Sequence, residues 1–423
     1  MGKILETIKN CSDAKKLIRK SLDIIGVFDG EYAYKGPDCV QIDLTNNCNN
    51  NCIACWCNSP LLRDKAISPA VKKQTLDYDI VIKLIDTLSA MGTRELFFSG
   101  GGEPFMYPRL MDVLTYTKSK GFICHLNTNF TLVDEDILNR LKEIKLDYLT
   151  VSLWAATPQT YAITHPNKNE ATFLRIKTLL KLLNQTKSSF PKVRLYNVIS
   201  KLNYKELIQM IDFTLECLCE CVEFTVVDTI PERTDKLLLN REQASELLEM
   251  CEKSKLNKRY YTQDGKFIIS NFDQFLRRVS SEYSSNAEYD RGILDSMPCY
   301  VGWLFARVLP DGNVNSCLKS HRIPVGNIYN QDFDIIWNGD KQREFRRAVL
   351  NSGKKSSLFS LIGNDPRKKI GCYKSCDDLG RNIFMHERIT KLTYFQRSLL
   401  KGVANIKRFQ RRLFNNGRYK SEY

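Results

Sequence analysis

The stretch Val40-Gln41-Ile42-Asp43-Leu44-Thr45-Asn46-Asn47-Cys48-Asn49-Asn50-Asn51-Cys52-Ile53-Ala54-Cys55 decides the fold. It opens as a short strand, Val40 to Leu44, and runs straight into a loop with thiols spaced four and three apart. Downstream, strands and helices alternate. Tyr78 to Met91 has helical apolar spacing, Glu95 to Phe98 reads as a strand and Arg109 to Lys120 as a helix. Phe122 to Leu126 (strand) precedes Asp134 to Lys142 (helix); Tyr148 to Ser152 (strand) precedes Phe173 to Leu183 (helix). Val193 to Ile199 (strand), Tyr204 to Glu216 (helix) and Val222 to Val227 (strand) complete the series. Strands alternating with helices indicate βα units and a parallel sheet. Six units give an α/β fold of partial (β/α)6 TIM-like barrel type, with functional loops after the C-terminal ends of the strands.

Outward from this core, the chain divides into a helical lead-in (1–36), the barrel (37–230), a polar helical linker region (231–298), a cysteine-bearing, turn-rich unit (299–385) and a basic amphipathic helix (386–423). The 423 residues are 43% hydrophobic and 26% charged, a composition for a folded protein of roughly two or three units. No run of eighteen apolar residues marks a spanning helix, and Met1-Gly2-Lys3-Ile4-Leu5-Glu6 lacks a signal-peptide core. The expected location is the cytoplasm. Fifteen cysteines in a reducing compartment point to metal or redox chemistry rather than disulfides. The net charge is +15, but Arg381 to the C-terminus holds eleven bases against Glu387 and Glu422. The basic balance therefore belongs to one end, and no nucleic-acid partner is expected.

Three thiolates at Cys48, Cys52 and Cys55 can hold three corners of an iron–sulfur cube and leave the fourth iron open. The competing reading is a zinc knot with Cys57 as fourth ligand. After the second strand comes Ser99-Gly100-Gly101-Gly102-Glu103-Pro104, whose glycines allow close backbone approach. No Lys-Ser/Thr follows to make it a phosphate loop.

CxxxCxxC after the first barrel strand, followed by Gly-Gly-Glu after the second, resembles the radical S-adenosylmethionine (radical SAM) superfamily over residues 40–230. The resemblance implies a 4Fe–4S cluster at Cys48, Cys52 and Cys55, and SAM held by Gly101, Gly102 and Glu103. It extends to Asn129 in Asn127-Thr128-Asn129, where Phe130 replaces the family's usual glycine, and to Ser152 and Asn197 on the fourth and fifth strands. Twelve residues separate Cys299 from Gly312 and four separate Gly312 from Cys317. That spacing, with Cys372 and Cys376, resembles the SPASM and twitch auxiliary-cluster domains, closest to the single-cluster form of the radical SAM dehydrogenase of aminoglycoside biosynthesis. A second 4Fe–4S cluster is implied there, and a structural zinc site is the alternative.

The activity so implied is reductive cleavage of SAM to a 5′-deoxyadenosyl radical that abstracts hydrogen from a substrate. The auxiliary cluster would accept an electron in a net oxidation or bind the substrate. A sugar- or cyclitol-like small molecule is favoured. A peptide-modifying maturase is the alternative, and a non-catalytic iron–sulfur or zinc scaffold with a membrane- or nucleic-acid-binding tail is a reading of another class. Flavodoxin or ferredoxin would donate electrons. No catalytic acid or base is assigned, although His165, Trp154 and Asp228 lie at the functional face. Cys217, Cys219 and Cys221 read as buried. In the tail, Leu392, Phe395, Leu399, Val403, Ile406, Phe409 and Leu413 recur at helical spacing among basic residues, which suits either packing on the enzyme or contact with a membrane surface.

Overall fold

The computed structural model describes residues 12–185, 190–284, 287–351, 354–363 and 369–418. Ile4, Leu5 and Ile8 of the expected lead-in lie outside these residues. Leu17 and Leu22 lie in two short helices, Ser12–Lys20 and Leu22–Asp29.

Six strands form the parallel array: β1 (Cys39–Asp43), β2 (Glu95–Ser99), β3 (Ile123–Thr128), β4 (Tyr148–Ser152), β5 (Lys192–Ile199) and β6 (Cys221–Val226). Their neighbours follow chain order from β6 to β1. Each crossover carries a helix whose apolar stripe covers the sheet. Helix Glu170–Asn184, for example, buries Phe173, Ile176, Leu179, Leu180 and Leu183, and Asn169 caps it by accepting from Thr172 N. β6 and β1 do not pair, so the barrel is open. The exposed edge of β6 is closed locally: Val222 N donates to Ile268 O, Ser270 N donates to Val222 O, and the Asn271 side chain bonds both backbone groups of Phe224. An edge strand left bare would invite foreign pairing.

The other edge is closed differently. The sequence suggests a separate C-terminal cysteine unit. In the structure its first strand, β7 (Phe305–Val308), pairs in parallel with β1, Val40 opposite Ala306. The hairpin then turns through Gly312 into β8 (Asn313–Asn315) and β9 (Gly326–Asn327), both antiparallel. One nine-stranded sheet therefore carries both cysteine regions. The join is ionic as well. Arg307 on β7 donates to the Asp43 carboxylate at the end of β1 at 2.6 and 3.0 Å and to Leu318 O at 2.7 Å. The last helix, Tyr394–Arg418, returns to the start of the chain and packs on helix Leu22–Asp29.

Candidate functional site

β1 ends at Asp43, and the chain then crosses the mouth of the barrel as the first cysteine loop. Asn46 N bonds Gln74 O, and Ile53 N bonds Thr164 O. Asn51 and Asn167 exchange backbone-to-side-chain bonds at 3.0 and 3.1 Å. Backbone amides point at the sulfurs: Asn50 N lies 3.4 Å from Cys48 Sγ, and Cys57 N and Asn58 N lie 3.4 and 3.3 Å from Cys55 Sγ. Such donors favour thiolate over thiol. The Cys57 thiol and these two amides, bonding to its sulfur, hold Cys55 below the usual thiol range, whereas burial pushes Cys48 and Cys52 up. Among the described residues, no three His, Cys, Asp or Glu side chains converge as a single-ion site.

The glycine segment packs beneath this loop. Gly100 has φ +130, and a Cβ there would come within 2.2 Å of the Asp43 carboxyl. At Gly102 a Cβ would meet Asn47 O at 2.2 Å. The glycines thus let the second loop press against the first, Gly100 on the Asp43 side chain and Gly102 on the backbone of Thr45 to Asn47. Glu103 is buried and does not face an open site. Its carboxylate accepts from Thr128 Oγ1 at 2.6 Å, Asn129 N at 2.7 Å and Phe105 N at 3.2 Å. Burial raises it to about 7. Glu103 therefore braces the end of β3. Asn129 in turn donates to Asn49 Oδ1 at 2.9 Å, with the Cys48 sulfur 4.0 Å away. Phe130 takes a left-handed turn, at φ +62, and is fully buried. The turn survives because Thr128 Oγ1 receives Phe130 N at 2.8 Å.

Ser152 pairs across the sheet with Tyr196, and both face the barrel interior. Asn197 does not. Side chains alternate along a strand, so Asn197 shares the helix-facing side with the core residues Leu195 and Ile199. Its assignment as a SAM contact is corrected: Tyr196, one residue earlier, holds the interior position, beside Thr225 and Arg278. Trp154, two residues past β4, has φ +59, and its buried Nε1 has no partner among the described residues. An orphaned donor at the barrel mouth fits a site built for a polar ligand. His165 is sealed under the cysteine loop, its Nδ1 near Tyr161 O and Thr164 Oγ1. Burial lowers it to about 4, so it is neutral and structural.

The second thiol set is gathered from three segments. Cys299, Cys317, Cys372 and Cys376 line one interior cavity together with Lys319, Ser375 and Asp378. Four thiols around one cavity suit a cluster closed by protein on every iron. Cys376 is positioned from the linker region, which the sequence reading left without a site. Arg278 and Asp290 form a buried pair at 2.7 Å. Asp290 accepts Cys376 N at 2.6 Å, while Arg278 donates to Cys376 O at 3.2 Å and to Thr225 on β6 at 2.8 Å.

A further chain of contacts connects the two thiol sets. Trp56, next to Cys55, donates its Nε1 to Asp228 O at 2.8 Å. The Asp228 carboxylate pairs with Lys319 and accepts from Ser375 Oγ at 2.8 Å. Lys319 also bonds Ser375 and lies 4.9 Å over the Trp56 ring. Lys319 stands two residues past Cys317, and Ser375 adjoins Cys376. Cys217, Cys219 and Cys221 are buried at the far end of the sheet. A cavity of about 1340 Å³ also lies there, at the starts of β5 and β6, and no cysteine of either set lines it.

Comparison with known proteins agrees with this geometry. Residues 42–214 match the radical SAM superfamily, and residues 299–360 match the iron–sulfur cluster-binding domain called SPASM. The tungsten-containing aldehyde ferredoxin oxidoreductase cofactor-modifying protein of Pyrococcus furiosus is 26% identical over 318 residues, 74% of this chain and 84% of that protein. Among solved structures, SuiB of Streptococcus suis bound to S-adenosylmethionine superposes with a TM-score of 0.58 at 14% identity, over 81% of this chain and 73% of SuiB. Native anSMEcpe with bound AdoMet gives 0.55 at 16% identity, over 87% of this chain and 99% of its own.

Proposed function

Because the chain belongs to the radical SAM superfamily and carries a SPASM-type iron–sulfur domain, we propose that it is an oxidoreductase acting on a hydroxyl-bearing small molecule. The cofactors of such a chain are SAM and 4Fe–4S clusters. Cys48, Cys52 and Cys55 hold the catalytic cluster. Cys299, Cys317, Cys372 and Cys376 hold the auxiliary one, and a flavodoxin- or ferredoxin-like protein supplies electrons. When bound, these groups would supply one-electron chemistry on SAM, removal of a substrate hydrogen atom and a sink for the remaining electron.

The chain's own residues do the rest. The amides of Asn50, Cys57 and Asn58 favour thiolate at the first loop. Asn129, fixed by Glu103 and Asn49, keeps that loop in place, and Ser152 and Tyr196 line the barrel wall. The observation that carries the reading is the chain from Trp56 through Asp228 and Lys319 to Ser375, which ties the two cysteine regions together around one charged, hydrogen-bonding pair. A substrate hydroxyl is the group such a pair selects. The Asp228 carboxylate, whose Oδ2 is held by Lys319 and Ser375, offers Oδ1 as the acceptor for the hydroxyl proton released when an alcohol becomes a carbonyl, and Lys319 positions it.

The test is anaerobic incubation of reconstituted, dithionite-reduced protein with SAM and a panel of sugars, cyclitols and peptides, with chromatography of all products. The expected result is 5′-deoxyadenosine plus a carbonyl product from one polyol. Asp228→Asn should retain cleavage of SAM and lose about 100-fold or more of substrate oxidation. A modified peptide in place of the carbonyl product would assign the maturase reading. No 5′-deoxyadenosine above a Cys48/Cys52/Cys55→Ala variant, with iron content verified in the parent, would reject the enzyme.

A further inference from the structure

The last helix, Tyr394–Arg418, attaches through one face and leaves the opposite face bare. Leu400 and Ala404 are fully buried against helix Leu22–Asp29. Arg408 donates to Phe28 O and Asp29 O, and Arg411 grips the Asp29 carboxylate at 3.1 and 3.2 Å and Glu31 at 3.0 Å. Positions 400, 404, 408 and 411 fall on one side of a helix with 3.6 residues per turn. Half a turn away lie Phe395, Leu399, Gly402, Ile406, Phe409 and Leu413. Phe395, Phe409 and Leu413 are 74%, 55% and 57% exposed. A Cβ built on Gly402, midway along this stripe, would meet no atom within 4 Å. Of the seven apolar residues in the repeat, Phe395, Phe409 and Leu413 are left in water, while Leu392 and Val403 pack on the core.

The charge around the stripe has one sign. From Lys391 to Lys420 there are nine bases and no acid. Lys401 and Arg412 are exposed beside it. Helix Ser12–Lys20 adds exposed Lys15, Lys16, Arg19 and Lys20 on the same corner of the molecule, where Arg388 bonds Lys20 O. Among the described residues no helix is long and apolar enough to cross a membrane.

We propose that this outer face lies flat in the headgroup region of an anionic lipid bilayer and docks the enzyme there. An apolar stripe with aromatic residues and flanking cations is the pattern of an interfacial helix. A second copy of the chain is the poorer occupant, because joining stripe to stripe would bring together two sets of bases in which Lys401 and Arg412 flank the stripe while only Lys391, Arg408 and Arg411 are paired with carboxylates. Anionic headgroups supply the missing countercharge. The inference does not depend on the proposed reaction.

The experiment is sedimentation of the full-length, cluster-loaded protein with vesicles of phosphatidylcholine and phosphatidylglycerol, against phosphatidylcholine alone. Binding is expected only with the anionic lipid, and it should fall several-fold between roughly 0.05 and 0.5 M salt as screening shortens the reach of the charges. The variant Phe395→Ser/Phe409→Ser/Leu413→Ser should lose about tenfold or more in binding, with unchanged melting temperature and SAM cleavage, because all three side chains are exposed. No sedimentation with anionic vesicles would overturn the proposal. So would a dimer, seen by light scattering without lipid, that these three substitutions dissolve.

Discussion

Arg411→Ala should destabilise the protein without touching its chemistry, and the size of the effect follows from where Asp29 sits. The Asp29 side chain is fully buried. It holds Arg411 bidentately at 3.1 and 3.2 Å, accepts from Tyr34 Oη at 2.8 Å and Tyr32 N at 3.0 Å, and has Arg408 Nε at 3.8 Å. Removing one partner of a buried ion pair strands the other charge, at about 3–5 kcal/mol. The remaining donors put this site at the lower end, about 3 kcal/mol. In a chain of this size that is a fall of roughly 3 °C in melting temperature. Asp29→Asn in the Arg411→Ala background should recover part of the loss, because no charge is then left stranded. Thermal and denaturant unfolding of the four proteins of this cycle would measure it, with SAM cleavage as the control. An Arg411→Ala variant melting within about 1 °C of the parent would refute the reasoning, since a surface pair is worth only ~0–1 kcal/mol.

Other outcomes follow from the same geometry. Reconstituted protein should bind about eight irons, and Cys48/Cys52/Cys55→Ala about four, because the auxiliary cavity draws no ligand from the first loop; iron and sulfide analysis decides it. Phe130→Gly should relieve left-handed strain of about 1 kcal/mol yet remove a fully buried ring at about 3–5 kcal/mol, so the melting temperature should fall although the turn prefers glycine. Burial raises Glu103 from 4.5 to about 7. Its contribution is therefore fully present below pH 4.5 and lost as pH rises through about 7, a change of up to about 3 kcal/mol that Glu103→Gln should flatten in denaturant titrations across that range.

The parallel array was legible because its strands and crossover helices carry their own periodicity. Tyr148–Ser152 was read to the residue, and helix Glu170–Asn184 starts earlier than its apolar run because Asn169 caps it. The partner of β1 was not legible. Nothing local in Phe305–Val308 says it pairs with a strand at the start of the barrel, and the Pro310–Asn313 turn signals only a hairpin. The first three cysteines and the glycines stood out by spacing, but the glycines' contacts did not: they accommodate the loop above them. Asn197 was chosen by residue type, whereas counting alternation from Leu195 and Ile199 would have sent it to the helix side. Asp228 was noticed only as a residue at a strand end, while Lys319, Ser375 and the Arg278–Asp290 pair, single polar residues in irregular or distant segments, carry no pattern until the fold brings them together. In the tail, the apolar repeat pointed to a helix, but that helix begins at Tyr394 rather than 386, residues 386–390 belong to the preceding helix Leu379–Thr390, and the repeat did not show the face by which it docks.

The pairing of β7 with β1 also bears on how the protein is made. At ~5–20 residues per second, ribosomal synthesis from Asp43 to Val308 takes roughly 13–53 seconds. Throughout that time the nascent barrel has a first strand with one ladder of amides and carbonyls unmatched, and an Asp43 carboxylate whose Arg307 has not yet been translated. The cysteine loop stands directly on that strand. The strand beneath the cysteine loop is therefore completed only when the C-terminal third of the chain has closed the sheet.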